Sequence, residues 1–150
     1  MIRFVPAAAL ALAGLAAAGC TVQPRSYVAG VENGADAAAV AAGVADMVAA
    51  KVPRTGATVA LVPTPAGQSD NPLTPALASV LRGRGYIVSD KSGDAGHSLR
   101  YSAIPIEGAV VVGAAVDGWN MARPYGRVPG GPLAPTGPVS VEAPVAETAP

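Results

Sequence analysis

With one cysteine and one histidine among 150 residues, the chain is short of the side chains that bind metals and carry out nucleophilic chemistry. A lone Cys20 has no partner for an intramolecular disulfide. His97 has neither a second histidine nor an available thiol beside it, so a zinc site and a Cys–His pair are both excluded. Aromatic residues make up 4% of the chain and charged residues 13%, which leaves material for one small core. The formal net charge is zero and no basic patch stands out, so the electrostatic footprint of nucleic-acid binding is missing. No Gly-x-Ser-x-Gly turn accompanies the serines that could join His97 in a triad. Gly83-Arg84-Gly85 lacks the lysine and Ser/Thr of a phosphate-binding loop and reads better as a helix end. Asp90 and Asp94, beside Lys91, lie in a glycine-interrupted loop and read as a solvated turn. No catalytic residue, cofactor or metal site is expected, and the chain reads as a binding protein, not an enzyme.

What the chain does have is concentrated at its start. Arg3 is followed by a charge-free run from Phe4 to Gly19, which ends in the small residues Ala16-Ala17-Ala18-Gly19 directly before Cys20. This is the grammar of a secretory signal, and the cysteine after it resembles the lipidation site of a bacterial lipoprotein. The run is shorter than the ~20 apolar residues that span a bilayer, contains Pro6 and is mostly alanine, so it fits an anchor better than a span. Ala17 stands where such signals usually carry leucine, with Leu15 two positions earlier. One acyl chain holds only marginally at ~0.8 kcal/mol per buried methylene, whereas lipoprotein processing adds more than one. The alternative is an ordinary signal cleaved near Ala18, with Cys20 left as a free thiol. Removing residues 1–19 leaves nine basic against ten acidic residues.

Along the remainder, residues 20–34 read as a tether interrupted by Pro24, Gly30 and Gly34, and a folded domain is expected over residues 35–128. Ala35 to Val52 carries Val40, Val44, Met47 and Val48 at helical spacing, with Asp46 opposite, Asp36 near the positive end and Lys51 near the negative end. Pro53 stops this helix. Ala57 to Val62 is a strand. Thr74 as cap, Pro75 in the first turn, a Leu77, Val80, Leu81 stripe and Gly83 or Gly85 as terminator define a second helix. Tyr86 to Val88, Leu99 to Ile106, Ala109 to Val116 and Trp119 to Tyr125 are further strands, with Gly108 and Asp117-Gly118 at the turns. The order implies an α+β fold, a small mixed β-sheet with two helices on one face. From residue 129 to 150 glycine and proline recur, and a flexible tail is expected. Pro124, Pro129, Pro132, Pro135 and Pro138 could form extended segments for a partner, with a spacer or loose hairpin as the plainer reading.

Taken together, Cys20, the alanine-rich helix, Leu81-Arg82-Gly83-Arg84-Gly85-Tyr86-Ile87-Val88, the strand around Tyr101, Met121-Ala122-Arg123-Pro124-Tyr125 and Pro135-Thr136-Gly137-Pro138-Val139-Ser140 resemble the conjugal transfer lipoprotein family TrbH over roughly Cys20 to Val141. The resemblance implies a small envelope lipoprotein of the mating-pair formation machinery, a type IV secretion apparatus. Its implied role is structural or in assembly, with protein partners in the channel or pilus, a membrane partner through the lipid, and no direct contact with nucleic acid. The only functional residue it carries over is the lipidated cysteine, here Cys20. Thr21 in place of an inner-membrane retention aspartate implies the periplasmic face of the outer membrane. The competing readings are an unrelated envelope lipoprotein, such as an accessory factor of cell-wall synthesis, and a lipid-anchored hydrolase.

Overall fold

Asn33 starts the first helix. In the computed structural model, which describes residues 25–91 and 96–144, α1 runs over Gly34–Ala49. Asn33 Oδ1 accepts the Asp36 N–H at 2.9 Å, satisfying one of the donors a helix leaves unpaired at its start. Val40, Val44, Met47 and Val48 are buried as their spacing predicts, and Asp46 is exposed. The helix ends three residues before Val52. Lys51 therefore does not cap its carbonyl end; its Nζ lies 3.5 Å above the Trp119 ring instead, a cation–π contact.

The second helix, α2 (Leu73–Gly83), buries Leu73, Leu77 and Leu81. Its first-turn oxygen comes from Asn71 and not from Thr74: Asn71 Oδ1 accepts the Thr74 N–H at 2.9 Å. At its other end Gly85, with φ +94°, occupies the left-handed position. The Tyr86 and Gly85 N–H groups return to the Leu81 and Arg82 carbonyls, a Schellman closure. Of the two candidate terminators, Gly85 is the one used.

Eight strands form one mixed sheet: β1 (Tyr27–Val28), β2 (Thr58–Leu61), β3 (Ile87–Ser89), β4 (His97–Ile106), β5 (Ala109–Val116), β6 (Trp119–Arg127), β7 (Leu133–Pro135) and β8 (Ser140–Glu142). The order is β3-β2-β4-β5-β6-β7, with β1 on β4 and β8 on β6. Strands β1, β2 and β3 run parallel to β4 or to each other, whereas β4 to β6 form an antiparallel meander. The β5–β6 turn places Asp117 at φ 52° and Gly118 at φ 79°, the paired positive angles that favour Asp-Gly in a two-residue hairpin. Leu99, Tyr101 and Ala103 of β4, Val112 and Ala114 of β5, and Met121 and Tyr125 of β6 face the helices and share their core. Alternate residues face away, as in a sheet covered on one side. The α+β architecture therefore agrees with the sequence reading.

Two expected boundaries differ. The segment read as a tether is already structural from Arg25 on: Ser26 is buried, Tyr27 and Val28 pair with Ser102 and Ala103, and Val31 is buried. The segment read as a flexible tail contributes β7 and β8, both paired to β6. The reason is the length of β6, which runs to Arg127 and would otherwise leave an open edge. Two short strands fill it on either side of Pro124, whose carbonyl accepts the Thr136 N–H at 2.9 Å. Leu133 is 2% exposed, and a single buried leucine leaves no periodic signal. Residues 1–24, with the signal segment and Cys20, lie outside the described residues, as do residues 92–95, which include Asp94, and residues 145–150.

Candidate functional site

A cleft among the described residues lies where parallel strands end. Strand β2 stops at Leu61, β3 stops at Ser89, and the loop between β2 and α2 arches over the gap, shaped by Pro63, Pro65 and a 3₁₀ turn at Ala66–Gln68. The result is a cleft of ≈ 830 Å³ whose lining includes Leu61, Asp70, Thr74, Arg82, Asp90 and Tyr101. Crevices at the carboxyl ends of parallel strands are where open sheets most readily accept ligands.

Its rim is held by a continuous hydrogen-bond chain. Asn71 Nδ2 donates to the Gln68 carbonyl at 2.6 Å, and Asn71 Oδ1 lies 3.0 Å from Thr74 Oγ1. That hydroxyl is in turn 2.7 Å from the Tyr101 hydroxyl. Gln68 Oε1 also accepts the Val28 N–H at 2.9 Å, which ties the loop to β1. Burial pushes the Tyr101 phenol up from its ordinary value, partly offset by the bond to Thr74, so it stays protonated at neutral pH. Apart from Arg82 and the carboxylates of Asp70 and Asp90, the lining is neutral, and it contains no histidine, cysteine or lysine. Such a surface can bind a ligand through its hydroxyls, amide and charged groups.

His97 lies elsewhere. It opens β4 at the far end of the sheet, where Val59 is its neighbour on β2, and its Nδ1 is 2.6 Å from Asp117 Oδ2. The structure thus brings together a His–Asp pair that the sequence reading left unassembled. Both side chains are partly exposed, at 31% and 44%. Asp117 belongs to the hairpin turn, so the spacing between a strand start and the second turn of a meander was the signal available. Among the described residues no group of three or more His, Cys, Asp and Glu could hold a metal ion.

A further electrostatic cluster is centred on Asp36, whose side chain is fully buried. Its Oδ1 accepts the Leu133 N–H at 2.9 Å and its Oδ2 lies 3.0 Å from an Arg127 guanidinium nitrogen. Glu32 also approaches Arg127, at 3.4 Å. Burial alone raises the Asp36 carboxyl, but the Leu133 N–H, Arg127 and the Glu32 N–H together hold it below its ordinary value. The sequence reading gave Asp36 only a helix-dipole role. In the fold it clamps the start of α1 to β6 and β7, a structural task.

Cys20, the expected lipidation site, lies outside the described residues, which begin at Arg25. No helix among the described residues is long and apolar enough to cross a membrane. Neither a curated protein nor a solved structure matches the chain. A family model described as conjugal transfer protein TrbH matches residues 22–143.

Proposed function

The chain belongs to the conjugal transfer protein family TrbH, and on that premise we propose that it is a lipid-anchored, non-enzymatic component of the conjugative DNA-transfer apparatus. The observation that carries this reading is the extent of the family match, residues 22–143, which takes in α1, α2 and all the strands. TrbH is a conjugal transfer family and not a known enzyme family. The cleft at the ends of β2 and β3 offers polar and apolar contacts suited to binding. We place the anchor at Cys20, at the end of the signal-like segment, and the folded domain at the periplasmic face of the outer membrane, in the envelope where type IV secretion components assemble.

Deleting the gene from a transfer-proficient donor tests the proposal. Transfer frequency should fall while growth stays normal, and the wild-type gene supplied in trans should restore it. Normal transfer in the deletion strain would instead favour an unrelated envelope lipoprotein. Fractionation on a density gradient tests location: recovery with outer-membrane markers is expected, and recovery with inner-membrane markers would contradict it.

A further inference from the structure

The face of the sheet turned away from the helices is not uniformly polar. Register places Tyr27 beside Ser102, Ile104 opposite Val111, and Val111 opposite Pro124. Tyr27, Ile104 and Ile106 on this face are 45%, 45% and 55% exposed. Single exposed apolar residues need no explanation, but several side by side on neighbouring strands mark an interaction surface. Next to them lies a shallow floor made by Gly113, Ala115 and Ala122, with Arg25 and Arg100 over it. The floor stays flat because a side chain at 113 would run into the Ser102 hydroxyl. Glu142, paired with Asn120, is the carboxylate that the strands place on this side, and Glu107 lies in the turn after Ile106.

The path of the chain selects the occupant. Arg25 lies on the floor, Ser26 turns inward so that its Oγ accepts the Tyr101 N–H at 3.1 Å, and Tyr27 turns outward. The first described residues, Arg25 to Tyr27, therefore run across this face. Only Thr21 to Pro24 separate Arg25 from Cys20, a reach of roughly 18 Å at full extension. With Cys20 at the bilayer surface, the tether keeps this side of the domain within that distance of lipid. Two arginines beside an aromatic and two isoleucines match an interface of phosphates over acyl chains. A second copy of the chain would have to pair Arg25 and Arg100 with Glu107 and Glu142 of the other face and reach it by diffusion, whereas the tether holds the bilayer within reach of this face.

We propose that the helix-free face of the sheet docks on an anionic phospholipid bilayer, with Tyr27, Ile104 and Ile106 entering the interface and Arg25 and Arg100 meeting the phosphates. This rests on the anchor reading of Cys20 given above. The test uses the mature chain from Cys20, made without lipid and coupled through its thiol to a maleimide phospholipid in vesicles of phosphatidylethanolamine and phosphatidylglycerol containing brominated lipid. The tryptophan probe is Tyr27→Trp in a Trp119→Phe background, and the wild type, with Trp119 on the helix side, is the control.

Emission from the probe at position 27 should shift to the blue and fall about twofold, as a side chain at interfacial depth would, while Trp119 emission stays unchanged. Adding Arg25→Glu and Arg100→Glu should remove the quenching. An unquenched probe on coupled protein would overturn the proposal. So would a blue shift that needs no vesicles and grows with protein concentration, which would assign the face to a second copy. Because coupling supplies the anchor chemically, absence of fatty-acid labelling at Cys20 in cells would contradict the anchor alone, whereas an unquenched probe contradicts the docking face.

Discussion

Asp36 shows how one buried charge can be tolerated when its hydrogen-bonding capacity is filled. Its carboxylate is satisfied by the Leu133 N–H and the Arg127 guanidinium, so Asp36→Ala leaves the buried Leu133 N–H without its acceptor and Arg127 with only the longer contact to Glu32. A loss of about 3 kcal/mol in stability is expected, measurable by urea unfolding. Because the folded carboxyl is held below its ordinary value of 3.8, its contribution is fully present above that value and is lost as pH falls through and below it. The gap between wild type and Asp36→Asn should therefore be wide at neutral pH and close in acid; a gap independent of pH would contradict the ion pair. Gly43 makes the opposite point about helix propensity. Alanine there would gain ~1 kcal/mol in an isolated helix, but its Cβ would fall on the Tyr125 hydroxyl. Gly43→Ala should lower stability by about 1–3 kcal/mol through overpacking, and an increase in melting temperature would show that Tyr125 moves aside easily. His97 and Asp117 form a partly exposed pair, and on the non-enzymatic reading proposed above His97→Ala should leave DNA transfer at the wild-type level. Abolished transfer with normally folded, abundant protein would revive a hydrolytic role.

Among the elements, the meander was the most legible in sequence. Alternation from Leu99 to Ala103 and the Asp117-Gly118 turn fix both its face and its register, because a strand with one buried side cannot slip by a single residue without turning its apolar set outward. Strands β1 and β7 were not legible. They are two and three residues long, too short for any period to appear, and they exist because β4 and β6 offer edges that need partners. The cleft was hidden for a related reason: Gln68, Asn71, Thr74 and Tyr101 converge only once α2 and β4 are packed. The two C-terminal strands should differ in weight. Leu133→Ala in β7 should cost about 2–5 kcal/mol as a core truncation. Ending the chain after Pro138, which removes β8 with its exposed residues, should change stability by only about 0.5 kcal/mol. Thermal unfolding of the two variants checks the contrast, and equal losses would mean that β8 protects the β6 edge more than its exposure implies.

For the whole molecule, the sheet has two sides with different tasks. One is filled by α1 and α2 and supplies the core. The other carries the first described residues and an apolar and basic surface, and the cleft opens at the end of the parallel strands. Membership in the TrbH family ties the molecule to conjugal transfer, and the proposed anchor at Cys20 would hold these surfaces at the membrane. The most direct measurement is transfer frequency from a donor deleted for this gene and complemented with either wild type or Cys20→Ser. Wild type should restore transfer, and Cys20→Ser should fail to do so while its product is lost from the membrane fraction or remains an unprocessed precursor. Full transfer from the deletion strain without complementation would contradict a role in conjugation.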